Sequence, residues 1–203
     1  MSYPSFFDEI PPLRVRDPLA EFLGAAEGGL IEYRYLDAVR LAGHSCPTVA
    51  SAYRLTCLAL AALYGAELPE RGGVHVSFRD SQTVGVTGVI ANVVSLLTGV
   101  TVDTGFKGLA GRFDRRDLLA FDAEQPLDLR FRRVDTGAAV DAMSTLREVP
   151  ANPRMIPLMQ LSLAGQASDD EVKEFRQLWQ DRVRRVLLDH GDDPAVFVVR
   201  QAN

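Results

Sequence analysis

Cysteine, histidine and tryptophan are scarce in this chain: two, three and one among 203 residues. Two cysteines cannot build a disulfide framework, which predicts a reducing, cytoplasmic setting. No long run is purely apolar. Residues 81–102 come nearest, but Gln82, Gly85, Thr87, Gly88 and Asn92 interrupt them, which suits a buried helix better than a membrane span. The N-terminus has no basic stretch and meets Asp8 early, which argues against a leader peptide. A basic excess is missing too: the net charge is −5, so nucleic acid is a poor partner on bulk electrostatics. There is no Gly-x-Ser-x-Gly, no His-Glu-x-x-His and no Cys-x-x-Cys.

What remains is an ordinary globular composition. The chain is 47% hydrophobic and 24% charged, long enough to bury a core without a disulfide or metal staple. Asp17-Pro18 is a helix start, with Asp as cap and Pro at the first helical position. Pro47 sets a second start, with Cys46 as N-cap. Beyond it Val49, Tyr53, Thr56, Cys57, Leu60 and Leu63 keep a 3.6-residue period to Gly65, which predicts a helix over 47–64. Residues 74–78 alternate and predict a strand. Residues 86–97 predict a buried helix, 100–104 an extended piece, and 118–121 and 127–134 two strands. The order helix, strand, helix, three strands is that of an α+β fold with a small mixed sheet. Residues 1–135 then form the α+β core with a helical lead-in, and 136–203 a helical extension packed on it. In that extension 141–146 read as a short helical piece, Ser168 to Glu171 as a capping box, and 195–199 as a final strand.

The small stock of thiols and imidazoles narrows the chemistry. His44 and Cys46 stand two residues apart at the start of the long helix. A sulfur there lies beside free backbone N–H groups and the positive end of the helix dipole, which favours the thiolate. The pair supplies two of the three or four ligands of a zinc site. It also reads as a capped helix with a small apolar cysteine and a surface histidine. His75 flanks two valines, so it faces solvent or a site if they face the core. Cys57, roughly 16 Å along the helix at the α-helical rise, reads as core, and His190 as a helix-end charge. Gly105, Lys107 and Gly108 sit in a glycine-rich turn that could offer N–H groups and a cation to a phosphate or carboxylate. Gly85, Thr87 and Gly88 leave room for another backbone or a ligand.

Gly43-His44-Ser45-Cys46-Pro47, the later Ala52-Tyr53-Arg54 and the block Leu97-Thr98-Gly99-Val100-Thr101 resemble the E-subunit family of formylmethanofuran dehydrogenase. The resemblance spans about residues 35–121. It implies a sheet akin to that of the glyceraldehyde-phosphate dehydrogenase catalytic domain and a zinc-binding pocket at His44 and Cys46. It further implies a homodimer and a link to one-carbon or redox metabolism. Val89 stands where the family has cysteine, Asn92 where it has aspartate, and no cysteine follows Pro126, so the C-terminal zinc finger is missing. A metal site here would need His75, an aspartate or water to complete it.

The leading expectation is thus a cytoplasmic zinc-binding protein with His44, Cys46 and His75 as ligands, and Lys107, Gly105 and Gly108 receiving an anionic or carbonyl small molecule. Two alternatives stand beside it: a metal-free enzyme with Cys46 as nucleophile and His44 as its base, and a non-catalytic accessory component of a larger oxidoreductase. None of these needs nucleic acid or a membrane.

Overall fold

The capping signals reappear as hydrogen bonds in the computed structural model, which describes residues 3–202. Strands β1 (Leu13–Arg16) and β2 (Leu30–Tyr33) form an antiparallel ribbon. Between them, Asp17 accepts from the N–H groups of Leu19 (2.9 Å) and Ala20 (3.1 Å) and starts α1 (Pro18–Phe22). Helix α2 (Tyr35–Ala42) ends on Gly43 at φ 76°, a left-handed position that glycine takes without a Cβ penalty. After a short turn, α3 (Pro47–Tyr64) runs for 18 residues, about 27 Å at 1.5 Å per residue. Both of its ends fall where the periodicity puts them.

Strand β3 (Val74–Phe78) leads to α4 (Thr87–Thr98), a hairpin of β4 (Lys107–Leu109) and β5 (Arg112–Asp114), and the short β6 (Leu119–Ala120). Then come β7 (Leu129–Arg133), β8 (Ala139–Ser144), α5 (Met155–Leu163), α6 (Asp169–Arg184) and β9 (Phe197–Gln201). Ser168 and Glu171 close the capping box at the start of α6. The central sheet has the order β6-β3-β7-β8-β9; β3 and β6 are parallel and the other pairs antiparallel. The fold is α+β with a small mixed sheet.

Three expectations give way. Residues 136 onward are not a helical extension, because β8 and β9 are two of the five central strands. Residues 141–146 are not a helical piece either, since Ala139–Ser144 is β8. Asp141 is only 2% exposed, and Arg130 on the neighbouring strand meets both its oxygens, at 2.7 and 3.1 Å. A bidentate guanidinium across the ladder makes the buried carboxylate tolerable. Residues 100–104 form no strand.

One sheet face carries Val74, Val76, Phe78, Leu129, Phe131, Val140 and Ala142, all buried. Helix α3 lies against that face, and α4 and α2 pack beside it. Each large side chain among these contributes about 1.5–3 kcal/mol on burial. Phe7, Tyr35 and Tyr53 form a chain of edge-on rings, with centroids 5.0 and 5.7 Å apart, under the start of α3. The Tyr53 hydroxyl reaches the carbonyls of Pro11 and Tyr33 at 3.1 Å each and ties the N-terminal ribbon to α3. On the opposite sheet face lie His75, Ser77, Arg130 and Arg132. Among the described residues no helix is long and apolar enough to cross a membrane.

Candidate functional site

The turn between α2 and α3 is fixed almost atom by atom. His44 Nδ1 lies 2.9 Å from the Ala42 carbonyl. A carbonyl only accepts, so Nδ1 carries the proton and the lone pair sits on Nε2. Ser45 is the hub of the turn. Its carbonyl accepts from Trp179 Nε1 (2.9 Å) and Gln180 Nε2 (3.3 Å), both on α6. Its hydroxyl donates to Gln180 Oε1 at 3.0 Å. That uses its one proton, so the Tyr35 hydroxyl, 2.9 Å away, is the donor to Ser45. Burial raises the Tyr35 phenol well above its ordinary value, against the pull of the Ser45 bond, and keeps it a donor.

These bonds bring α6 against the turn and leave a cleft of about 440 Å³ between them. Tyr3, Phe7, Phe175 and Trp179 supply its aromatic surface, and His44, Ser45, Arg176 and Gln180 its polar groups. Phe175 and Trp179 lie 5.7 Å apart at a tilted angle. Ser45 and Gln180 are spent on each other. Among the described residues Arg176 makes no ion pair or hydrogen bond and the Tyr3 hydroxyl makes no hydrogen bond, so these two and His44 Nε2 are polar groups with capacity to spare. A largely apolar pocket with a few convergent polar groups is the usual form of a small-molecule site.

Cys46 caps α3 as expected: its sulfur accepts from the Val49 N–H at 3.5 Å. It is only 8% exposed and lines neither cleft at this end of the helix. A nucleophile must reach its electrophile, and this sulfur is covered. Cys57 is partly buried and packs against the core, and burial of the thiol pushes it up to about 12, far from thiolate at neutral pH. His190 bonds Asp193 at 2.8 Å instead of facing a site.

The other expected ligands lie elsewhere. His75 points from β3 to the sheet face away from α3, beside Arg132 and Ser77. Lys107 and Gly108 belong to the β4–β5 hairpin, where Lys107 pairs with Asp114 in the strand register, and Gly105 lies just before it. Gly108 holds φ 81°, and a Cβ on it would lie 2.3 Å from the Arg112 carbonyl, so that glycine serves the hairpin itself. The hairpin adjoins the C-terminal end of α4, about 18 Å along the helix from its start. The N-terminus of α3 lies at the other end, since Thr48 and Thr87 line one cavity. Lys107 therefore shares no pocket with His44 and Cys46. Among the described residues no three His, Cys, Asp or Glu side chains gather where they could hold a metal ion. His44 and Cys46 do not fit a closed zinc site: one nitrogen is free, the sulfur is engaged and covered, and His75 is remote.

That shared cavity, about 400 Å³, flanks α3 on its other side. Arg79, Asp80, Asp128 and Ser144 line it with Thr48 and Thr87. Burial and the neighbouring Asp80 raise the Asp128 carboxyl above its ordinary value, against the pull of Arg79. The room expected around Thr87 is thus real, but the carboxylates beside it carry no sequence signal beyond a balance of charge. The aromatic wall on α6 does carry one, since Phe175 and Trp179 stand four residues apart on one face of the helix.

No protein-family model and no curated protein matches the chain. Its function rests on the geometry.

Proposed function

We propose that the chain binds a planar aromatic small molecule carrying an anionic group in the cleft between the His44 turn and α6. The observation that carries this reading is the pairing of an aromatic wall with uncommitted polar groups, above all His44 Nε2 and Arg176. Rings on Phe7, Phe175 and Trp179 offer stacking and edge contacts. Arg176 supplies a fork for a carboxylate, and Nε2 accepts a proton or a hydrogen bond from the ligand.

Trp179 is the chain's one tryptophan, so its fluorescence reports this cleft alone. The test is titration with 1-naphthoate, with cyclohexanecarboxylate as the non-aromatic control. Saturable quenching is expected with the first only. Arg176→Gln should weaken it roughly 10- to 100-fold, the worth of one charge-assisted hydrogen bond. Absence of saturation, or equal binding of the control, overturns the proposal.

A second reading follows from the His44–Ala42 bond, which is how metal-ligating imidazoles are commonly oriented. The motifs at the start of α3 and the end of α4 support it by their resemblance to the formylmethanofuran dehydrogenase family. A zinc ion there would take Nε2 and complete its shell with water or ligand. Elemental analysis of untagged protein decides it: stoichiometric zinc lost in His44→Ala supports this reading, and metal-free protein removes it.

A further inference from the structure

A second polar centre sits at the far end of α4. The Asp17 carboxylate lies between Arg71 (3.0 Å) and Arg115 (2.8 Å) while also capping α1. Asp17 is 4% exposed and Arg115 5%. One carboxylate thus faces two guanidinium groups. Nearby Glu70 is engaged at 3.6 Å with Arg16. Arg115 Nη1 is buried and has no partner, the one such side-chain atom among the described residues. Buried donors are nearly always satisfied, and an unsatisfied charged one is costly.

The backbone is shaped around that guanidinium. A Cβ on Gly72 would fall 1.8 Å from Nη1, and one on Gly99 would fall 3.0 Å from it. Both glycines have positive φ, 81° and 75°. Beside this cradle opens a cavity of about 450 Å³ lined by Arg16, Arg71, Arg112 and Arg115, with Glu70 and Asp114 also in its wall. Asp114 is already held by Arg116, at 3.1 and 2.7 Å. Arg112 has no carboxylate partner among the described residues; its guanidinium rests 4.7 Å from the Phe113 ring centroid. Phe113 in turn holds φ 64°, costly for a bulky residue, with its ring 5.4 Å from that of Phe22. Arg112 precedes Phe113 in the chain, and both line the cavity.

We propose that this cavity is a phosphate site for a phosphorylated small molecule, separate from the aromatic cleft. Arg112 provides the accessible fork. Arg71, whose Nε and Nη2 reach the Leu96 carbonyl and whose Nη1 holds Asp17, adds positive charge to the wall, and Arg115 supplies the buried charge and the spare N–H. Guanidinium forks match phosphate oxygens two at a time. The anion site expected on this glycine-rich segment is therefore assigned to Arg112 on β5 and not to Lys107 on β4.

The test is thermal denaturation and calorimetric titration of the full chain with inorganic pyrophosphate, against sodium chloride at equal ionic strength. Pyrophosphate at about 100 times its dissociation constant should stabilise the fold by about 2.7 kcal/mol. Arg112→Gln, an exposed change that leaves the Asp17 network alone, should weaken binding at least 10-fold. Lys107→Ala should bind like the wild type. Equal stabilisation by chloride, or full binding by Arg112→Gln, overturns the proposal. Tighter binding of citrate than of pyrophosphate overturns the phosphate assignment in favour of a polycarboxylate.

Discussion

Replacing Asp17 with alanine should be among the most destabilising single changes in this protein. The carboxylate does two jobs. It caps α1 through Leu19 and Ala20, and it is the shared counter-ion of Arg71 and Arg115. Loss of an N-cap costs about 1 kcal/mol. Breaking a buried ion pair from one side costs about 3–5 kcal/mol, because the remaining charge stays buried. The sum is about 4–6 kcal/mol, which lowers the melting temperature of a chain this size by roughly 10–20 °C. Asp17→Asn keeps an oxygen for the cap and should lose only the ionic part. Urea unfolding at pH 7 reads both. The pH dependence gives a sharper check. Burial works to raise the Asp17 carboxyl, but the Ala20 N–H and the two arginines outweigh it and hold the group below its ordinary value. A lowered folded pKa contributes stability that is full above about pH 4 and is lost as pH falls through the folded value. The wild type should therefore lead Asp17→Ala by a constant margin from pH 5 to 8, and the margin should shrink in acid. A variant within about 1 kcal/mol of wild type at pH 7, or a margin that widens on acidification, would refute this account of the network.

Ser45→Ala removes the acceptor of the buried Tyr35 hydroxyl and the bond to Gln180, and should cost about 1–3 kcal/mol by urea unfolding. A loss below about 0.5 kcal/mol, on the order of an ordinary surface change, would show that the hub does not hold the cleft. Native protein should resist iodoacetamide at both cysteines at pH 8, with Cys46 covered and Cys57 held neutral by burial. Mass spectrometry that finds Cys46 carboxamidomethylated as fast as in urea would restore it as a nucleophile.

Much of the fold is legible in the sequence because it is locally encoded. Helix α3 needs only Pro47, a capping Cys46 and a 3.6-residue repeat, and α6 only the Ser168–Glu171 box; both stand where those signals place them. Strand β8 escapes such a reading because its identity depends on Arg130, a partner on another strand. The site divides the same way. His44 and Cys46 are visible as a pair, yet what each can do is set by Ala42 and Val49 around them and by Trp179 and Gln180 on a distant helix. Lys107 draws notice as the lone cation in a glycine turn. Arg115 does not, since nothing in its sequence neighbourhood tells that it will be buried against Gly72.

The partnership of β8 and β9 has a kinetic meaning. Strands β7 and β8 are joined by a short turn, whereas β8 and β9 are antiparallel neighbours separated by residues 145–196, which hold both α5 and α6. That loop is roughly ten times longer, and its closure costs about 2 kcal/mol more in chain entropy. The inner sheet can assemble from nearby segments, while the outer strand must wait for α6 to find the His44 turn. The wall of the aromatic cleft and the edge of the sheet are thus linked: docking α6 on the His44 turn shortens the loop that β9 must still close to reach β8.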